Sequence, residues 1–478
     1  MGITAGIVEF GHFDNTEQEG PHLVRLRKAD LQRRIKGQLT LRYKAEGLTS
    51  FAGLELVGRF IRRLDLRAIL KGVEKVLPRS DFGAARLSLL VLTMLIAGAR
   101  RVRQVEYLRD DPLVERVCGL CRLPSLHSLG RWLRGFDAEG VKALVEVNER
   151  LVGDVIKRSG LRRLTLDVDG SVVSTGLKVE GARRGFNPHR RKVPSYYPIT
   201  AYEANTGQVL RVCNRAGNVH DGKASVTFLE EVFAQLDATL DRRSVLEMRM
   251  DGAFFREDVL DVLDAEGVQY AIKAPFWQWL GLKERIAACR CWQRVDATVE
   301  CFEQWLRVPA WSRRMRVVVY RKRVRHRSAK NYQLDLFDPD DGYFEYSAIV
   351  TNKEVTGRTL WFFMCGRGAH EKVYGELKGG FAFDCAPTRR YEANSAWQVF
   401  SVIAFNLMRA LQAGTAERRS MNRKRRTLRA FQTIQTLRYR FINRAGLLIK
   451  PNGRQMLDVG NNPIVRERFQ AIENALGA

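Results

Sequence analysis

Apolar residues recur at helical spacing between residues 49 and 158. One helix face at the start of this region carries Leu54, Val57, Phe60 and Ile61. A longer uncharged run covers Leu87 to Ala99, and it is shorter than the roughly 18 to 20 apolar residues that cross a bilayer, so it predicts a buried helix. The pattern therefore predicts a compact all-helical domain over 49–158, after a polar and weakly patterned N-terminal arm over residues 1–48.

The spacing changes at residue 164, where the segment LTLDVD alternates between apolar and polar positions. The apolar positions are Leu164, Leu166 and Val168, and the polar positions are Thr165, Asp167 and Asp169. A period of two is typical of a β-strand with one buried face. Asp167 and Asp169 therefore leave the same side of the predicted strand, and Asp169 lies at its end.

Further strands and helices follow in a regular order. The strands YPITAYEA (197–204) and GQVLRVCN (207–214) are joined by Asn-Thr-Gly, which favours a hairpin turn. A helix over TFLEEVFAQLDATL, the strand VLEMRMD, a helix over REDVLDVLDAEG and the strand QYAIKA come next. This order is typical of an RNase H-like fold. We therefore expect residues 159–275 to form the first part of an α/β core, a mixed five-stranded sheet flanked by helices.

Residues 276–358 interrupt this core with tryptophans and with strand-like runs such as MRVVVYRKRVR and YFEYSAIVTN, which predict a β-rich insertion. The core resumes over 359–412 with the helical segment GRGAHEKVYGELKGG and an apolar helix. The last stretch, 413–478, is a basic C-terminal region. Its part from Ala413 to Lys450 has eleven basic residues against the single Glu417, which we interpret as a basic helical tail.

The chain is strongly basic, with 80 lysines and arginines against 53 acidic residues, a formal net charge of +27 and a pI of about 10.1. This balance favours a polyanionic partner, because neutralising phosphates releases counterions and drives association. The eight cysteines are scattered and no secretory leader is evident, so we expect a reduced cytoplasmic setting and no membrane partner. Two cysteine pairs at 118/121 and 289/291 lack a histidine at ligand spacing, which favours free thiols over a zinc site.

Carboxylates at the ends of separate elements are what metal-dependent phosphoryl transfer on DNA requires. Two divalent ions about 4 Å apart clamp the attacking and leaving oxygens, and acidic side chains hold the ions. Asp169 ends the first predicted strand and Asp251 ends the fourth, and these strands are neighbours in an RNase H-like sheet. After the insertion, one helical stripe carries Arg367, Glu371, Tyr374 and Lys378. Glu371 is therefore the candidate for the third ligand.

Two of these carboxylates have a rival nearby. Asp167 shares the strand face of Asp169, and we favour Asp169 because a ligand reaches a strand end more easily. Glu376 lies about 140° round the helix from Glu371, outside the stripe, so we favour Glu371. For each acid taken singly, a capping or salt-bridged role is the alternative.

The order of DVDGS, MRMDGAFF and then Arg367, Glu371 and Lys378 resembles that of bacterial insertion-sequence transposases of the DDE type with the YREK signature. The similarity is greatest to the group-one DDE transposase domain, and it spans about residues 50 to 412. The sequence departs from the signature at Met364, where the family has a tyrosine three residues before the arginine. Methionine supplies no hydroxyl for a phosphate contact.

The resemblance implies that Asp169, Asp251 and Glu371 are catalytic and hold two Mg²⁺ ions, with Mn²⁺ as a substitute. It implies that Arg367 and Lys378 bind DNA phosphates beside the scissile bond, and we assign Tyr374 to the same contact surface. Water would first release a 3′-hydroxyl, which then attacks a second strand. The resemblance also implies a homodimer that pairs terminal inverted repeats with target DNA, in a bacterial cytoplasm at the nucleoid.

Two further segments have the composition of DNA-binding surfaces. The loop from 181 to 197 combines aromatic residues with basic ones, namely Arg183, Arg184, Arg190, Arg191 and Lys192. This composition favours phosphate clamping with base stacking over a merely solvated loop. In LPSLHSLGRWLRGF, Arg131 and Arg134 face solvent or DNA, either on the recognition helix of a helix-turn-helix or on an ordinary capped helix. His189 and His220 are isolated, and we do not expect them to bind metal.

The sequence therefore predicts a cut-and-paste DNA transposase. A metal-dependent nuclease would share the acids but cut without joining, and a domesticated, non-catalytic DNA-binding protein would keep the basic surface while losing an acid. All three candidate acids are present, which argues against the second alternative. The tryptophans of the insertion either stack on a flipped base or pack in the core, and core packing is favoured for any single one.

Overall fold

The computed structural model describes residues 46 to 477, apart from short breaks, and a few isolated positions before residue 46. The breaks are at 177, 186, 188–189, 191, 220–221, 223, 241–243 and 325–343. One compact unit covers Gly47–Ala478, and Met1–Glu46 is a second unit. The predicted arm over 1–48 therefore lies almost wholly outside the described residues. Arg191, His189 and His220 lie outside them too.

Strands of the larger unit form three sheets. Their bounds are β1 (Leu48–Thr49), β2 (Arg163–Gly170), β3 (Val173–Ser174), β4 (Ser195–Tyr196), β5 (Ile199–Glu203), β6 (Gln208–Cys213), β7 (Val245–Met250), β8 (Gln269–Ala274), β9 (Gln293–Arg294), β10 (Val299–Val308), β11 (Arg313–Arg323), β12 (Phe344–Thr351), β13 (Gly446–Ile449) and β14 (Met456–Val459). The main sheet is mixed and has the order β6-β5-β2-β7-β8-β12-β11-β10-β9.

Helices pack against this sheet and against one another. Their bounds are α1 (Leu54–Arg63), α2 (Leu66–Gly72), α3 (Ala84–Ala97), α4 (Pro112–Cys118), α5 (Leu126–Arg134), α6 (Ala138–Ser159), α7 (Ser225–Asp237), α8 (Glu257–Ala265), α9 (Leu282–Ala288), α10 (Gly357–Cys365), α11 (Gly368–Phe381), α12 (Tyr391–Ala413), α13 (Ile434–Leu437) and α14 (Pro463–Leu476). No helix among the described residues is both long and apolar enough to span a bilayer.

The strands β6, β5, β2, β7 and β8 lie side by side in the main sheet, and β2 and β7 are neighbours, as an RNase H-like order predicts. β2 runs parallel to β7, which runs parallel to β8, while β5 and β6 are antiparallel. The β5–β6 hairpin turns at Gly207, whose φ of 78° is a backbone conformation that favours glycine. This arrangement puts the carboxyl ends of β2 and β7 side by side at one edge of the sheet.

The sheet has nine strands, and the prediction of a five-stranded sheet is wrong in this respect. The insertion is rich in β-strands as predicted, but its strand β12 pairs antiparallel with β8, with Ala348 opposite Ala274. β11, β10 and β9 then extend the sheet outward. β8 would otherwise expose an edge of unpaired backbone groups, and pairing with the insertion removes that edge.

The N-terminal helices share their core with the rest of the chain, so residues 49–158 do not form a separate compact unit. α3 is buried on all sides and packs against α12, and one continuous apolar cluster includes residues of both helices. Phe136, after α5, contacts Phe400 of α12 edge to face at 6.0 Å. The predicted apolar runs thus form helices, but they bury their faces against the second part of the core.

The C-terminal region is not the helical tail that its charge suggested. After α12 the chain is largely irregular up to α13, and it then forms the hairpin of β13 and β14 and the helix α14. β13 also pairs with β1, with Leu447 opposite Leu48. Arg438 is half-buried and donates hydrogen bonds to the carbonyls of Leu95, Ile96 and Gly380. Arginines of the C-terminal region therefore serve in part to link this region to the rest of the protein by hydrogen bonds.

Candidate active site

The carboxyl ends of β2 and β7 bring two of the predicted acids together. Asp169 is the second-last residue of β2, and Asp251 directly follows β7. An oxygen of Asp169 lies 2.8 Å from Nη2 of Arg367, and an oxygen of Asp251 lies 3.8 Å from the same nitrogen. Because β2 and β7 are parallel neighbours, both side chains emerge at the same place, and one guanidinium reaches both.

Arg367 supplies the positive charge at this point of the structure. It immediately precedes α11, and its side chain is only 12% exposed. Burial alone would lower the pKa of the guanidinium, but Asp169 and Asp251, followed by Asp167 and Glu371, raise it above its ordinary value. Its Nε–H group is buried and has no hydrogen-bond partner among the described residues. The guanidinium is thus strongly held by charge but incompletely hydrogen-bonded.

Glu371 lies in the first turn of α11, one helical turn after Arg367, and its side chain is exposed. Its charge acts on Arg367. Among residues 46–477 as described, no three His, Cys, Asp or Glu side chains lie close enough together to hold a metal ion. The structure thus brings Asp169 and Asp251 together and places Glu371 nearby on the adjoining helix, without closing a three-carboxylate site.

The donor chemistry of these residues nevertheless fits a divalent cation. Carboxylate oxygens are the ligands that Mg²⁺ and Mn²⁺ prefer. Asp169 and Asp251 already converge on one positive group, and that group is the guanidinium of Arg367. A metal ion and this guanidinium would compete for the same oxygens.

Asp167, the rival of Asp169, is fully buried and fully engaged. Arg249, also 0% exposed, makes a two-point salt bridge to it, with Nε 2.5 Å from Oδ1 and Nη2 2.7 Å from Oδ2. Arg249 also donates to the carbonyls of Phe363 and Lys424. Both carboxylate oxygens of Asp167 are therefore committed to a pair inside the protein, which favours Asp169 as the ligand.

Glu376, the rival of Glu371, is likewise occupied. It is largely buried, pairs with Arg409 of α12 and accepts a hydrogen bond of 2.8 Å from the backbone N–H of Ile434. Burial raises the pKa of this carboxyl, although Arg409 opposes the shift. Glu376 thus fastens α11 to α12 and to the start of α13, on the side of the helix away from Asp169.

Tyr374 is buried, and its hydroxyl group is used within the protein. It donates to the backbone oxygen of Asp169 at 2.7 Å and accepts from Oγ1 of Thr200 at 2.7 Å. Thr200 lies directly opposite Asp169 in the β2–β5 pairing. The predicted role of Tyr374 on a DNA-contacting surface does not agree with this position, because the phenol is covered. The geometry indicates that Tyr374 positions the backbone of Asp169.

His370 extends this network and was not identified from the sequence. Its Nε2 lies 2.9 Å from Oγ1 of Thr200, and its ring stacks on Tyr374 at 4.9 Å and on Tyr202 at 5.4 Å. Burial, reinforced by Arg367 and Arg249, lowers the pKa of His370 well below its ordinary value, so the ring is neutral. The sequence feature that could have identified His370 is its position one helical turn before Tyr374, on the same face of the helix.

Lys378 also contacts the backbone beside the carboxylates. Its Nζ donates to the carbonyl of Val172 at 2.8 Å, three residues after Asp169. Burial lowers the pKa of this ammonium group, and Asp384 partly opposes the shift. In this structure Lys378 therefore holds the turn that follows β2.

The remaining predicted DNA-binding residues lie on the surface. The exposed ones are Arg131, Arg134, Arg183, Arg184, Arg190 and Lys192. Ser125 caps α5 by accepting a hydrogen bond from the N–H of Ser128 at 3.1 Å, which leaves Arg131 and Arg134 on its outer face. α4 precedes α5 by a short connection, so both interpretations of this helix remain open.

Exposed tryptophans occur in the insertion. The rings of Trp277 and Trp279 contact each other with centroids 5.4 Å apart and planes tilted by 30°, and each side chain is about half exposed. Phe255, four residues after Asp251, packs against Trp277 at 5.8 Å. This aromatic cluster therefore lies next to the strand end that carries Asp251.

Comparison with known protein families gives a match that covers nearly the whole chain. Residues 32–477 match the family described as transposase DDE domain, group 1. The fold is similar to a piggyBac transposase synaptic complex with hairpin DNA solved by cryo-electron microscopy. Sequence identity is 10%, the match covers 89% of this chain and 84% of that one, and the TM-score is 0.38. No curated protein matches at a significant level.

Proposed function

Since the chain belongs to the group 1 DDE transposases, we propose that it is a cut-and-paste enzyme that cleaves DNA at transposon ends and joins the freed ends to target DNA. The observation that carries this proposal is the convergence of Asp169 and Asp251 on one cationic group, with Glu371 on the adjoining helix. Water is the attacking group in the first step, and a 3′-hydroxyl is the attacking group in the second. Each step breaks one P–O bond and makes another.

Asp169, Asp251 and Glu371 are the residues that would hold two Mg²⁺ ions, or Mn²⁺ in their place. When bound, such ions lower the pKa of the attacking oxygen and neutralise charge on the phosphoryl group. Arg367 must give up its salt bridges for the carboxylates to act as ligands. Its planar fork of N–H donors then suits a DNA phosphate, which agrees with the unpartnered Nε–H of this side chain.

Tyr374, Thr200 and His370 keep the end of β2 in place while Arg367 moves. Tyr374 donates to the backbone oxygen of Asp169, Thr200 donates to Tyr374, and His370 is hydrogen-bonded to Thr200. These bonds fix the backbone that carries the acid without involving Arg367. Lys378 supports the following turn through Val172 and is the second cation that we assign to the DNA phosphates beside the scissile bond.

The exposed basic residues supply the DNA-binding surface of the proposal. The loop with Arg183, Arg184, Arg190 and Lys192 lies between β3 and β5, in the same part of the chain as Asp169. With a net charge of +27, non-specific affinity for duplex DNA should be high and should fall steeply with salt. We further propose that a homodimer pairs the two terminal inverted repeats, and that the protein acts at a bacterial nucleoid.

The test is a cleavage and joining assay with Mg²⁺ on DNA that carries the flanking inverted repeats. We expect Asp251→Asn and Glu371→Gln to bind this DNA normally and to lose both reactions. Glu266→Gln, an exposed acid away from the site, is the matched control and should react as wild type. Cleavage without joined products would identify a nuclease, and full activity in Glu371→Gln would remove this residue from the site.

A further inference from the structure

A second charged site lies at the amino ends of β2 and β7, the opposite end of these strands from Asp169 and Asp251. It is a cavity of about 560 Å³. The charged residues that line it are Arg163, Lys353, Arg423, Arg425, Glu247 and Glu354. Four positive side chains thus face two negative ones. Thr165, opposite Glu247 on β2, is four residues before Asp169, which places the cavity about 13 Å from the carboxylates along the strand.

Glu247 is fully buried, and its oxygens are saturated. Oε1 accepts from Arg163 at 2.8 Å and from Lys353 at 2.7 Å, while Oε2 accepts from Thr165 at 2.9 Å and from Arg425 at 3.1 Å. One carboxylate therefore balances three cations. Glu354 is exposed, and Arg423 adds a fourth positive charge. A surplus of positive charge remains in the cavity.

Lys353 shows the effect of that surplus. Its side chain is only 5% exposed. Burial lowers the pKa of its ammonium group, Glu247 raises it, and Arg163 and Arg425 lower it again. A buried cation surrounded by other cations is relieved by an added anion, since a charge taken out of water needs a partner.

Hydrogen-bond donors are also left over in the cavity. Toward the residues that the structure describes, Arg163 donates through Nη1, and Arg425 donates through Nε and Nη1. The side chain of Arg423 makes no hydrogen bond to any residue that the structure describes, and it is exposed. Arg425 has a φ of 45°, a conformation that is rare for residues other than glycine, asparagine and aspartate. The backbone thus holds Arg425 over the cavity against its local preference.

We propose that this cavity binds a phosphate group of the DNA backbone, as a second contact separate from the scissile phosphate. Guanidinium forks match phosphate oxygens in pairs, and three such side chains border the cavity. Arg418, Arg419 and Arg426, exposed on the same C-terminal segment, continue the positive surface outward, which favours a polyanion over a small free ion. The assignment rests on the proposed function, because it takes DNA to be the substrate.

The first experiment measures DNA affinity over a series of salt concentrations by fluorescence anisotropy. A short labelled duplex of arbitrary sequence is used without metal, so the result does not depend on cleavage. For the Arg163→Gln/Arg423→Gln variant, the slope of log K against log salt should become shallower by about 0.9, the value for one lost phosphate contact. Arg307→Gln, an exposed arginine on β10 outside the cavity, should change the slope by much less.

A purely structural role of the cluster predicts a different result. In that case the melting temperature of the double variant would fall while its salt slope stayed at the wild-type value, and the proposal would be overturned. The single variant Arg423→Gln controls for misfolding of the double variant, since this side chain makes no internal hydrogen bond among the described residues. Its slope should shift in the same direction without any change in melting temperature.

The second experiment separates DNA from a small anion as the source of the phosphate. Inorganic phosphate is added to the DNA-free protein in a thermal-shift assay at constant ionic strength. Stabilisation of wild type that is lost in the double variant, together with the change in salt slope, supports the proposal. The same stabilisation with an unchanged salt slope would assign the cavity to a free anion and overturn the DNA contact. Failure of transposition with an intact slope effect would refute only the proposed function.

Discussion

Replacing Arg367 should make the carboxylate site bind metal more tightly. At 2.8 and 3.8 Å from Asp169 and Asp251, the attractions amount to about 6 and about 4 kcal/mol at an effective dielectric constant of about 20. These are gross values, because burial of Arg367 costs hydration. If the net attraction that a metal ion must displace is only about 2 kcal/mol, Arg367→Gln should lower the Kd for Mn²⁺ about 30-fold.

The assay is isothermal titration of the DNA-free protein with Mn²⁺, at the same pH for every variant. Arg367→Lys keeps a positive charge at the same position and serves as the control, with a Kd near that of wild type. A variant Arg367→Gln that is folded by circular dichroism and binds Mn²⁺ no better than wild type would refute the competition between guanidinium and metal. Weaker binding in this variant would mean that Arg367 supports the metal site instead.

Two further predictions concern stability. Asp167→Asn leaves Arg249 buried without its partner and should lower the free energy of unfolding by about 3 to 5 kcal/mol in urea denaturation. Glu106→Gln, which removes an exposed pair with Arg109, should cost under about 1 kcal/mol. Equal losses in the two variants would contradict the assignment of Asp167 to a buried structural pair. Because the pKa of His370 is lower in the folded state than in the unfolded chain, unfolding takes up a proton below about pH 6.5, and stability should fall there by up to about 1.4 kcal/mol per pH unit. His370→Gln should lose that part of the pH dependence, and an unchanged profile would show that His370 titrates normally.

The strand pattern of the core was predictable because each strand is governed by a local rule. Alternating residues in LTLDVD and the apolar run of QYAIKA reflect burial of at least one face, and the observed β2 and β8 agree with them within a residue or two. Which strands pair with each other in the sheet follows no such local rule. The strands of the insertion were recognisable, but nothing in their periodicity shows that β12 pairs with β8.

The candidate site was predictable only in part, for the same reason. Asp169 and Asp251 are found at strand ends, which sequence spacing reveals. Arg249 looks like an ordinary polar position in MRMD, yet it is fully buried because Asp167, far away in sequence, neutralises it. Thr200 gives no signal at all, since its role depends on lying opposite Asp169 in the next strand.

Charge was the least reliable guide to structure. The basic stretch after α12 suggested a solvated helix, but Arg425 and Arg438 point inward to a carboxylate and to backbone carbonyls. A count of charges cannot distinguish an arginine that meets DNA from one that caps a helix end, because both roles use the same donors.

The continuity of the nine-stranded sheet limits how this protein can be trimmed. Removing residues 276–358 to obtain a minimal nuclease core would also remove β12, the antiparallel neighbour of β8. β8 would then present an unpaired strand edge, two strands away from the strand of Asp169. Such truncated variants should aggregate in solution unless a designed strand pairs with β8 or lysines are introduced along its exposed edge. The practical unit for engineering is therefore the whole sheet, with the insertion treated as scaffold.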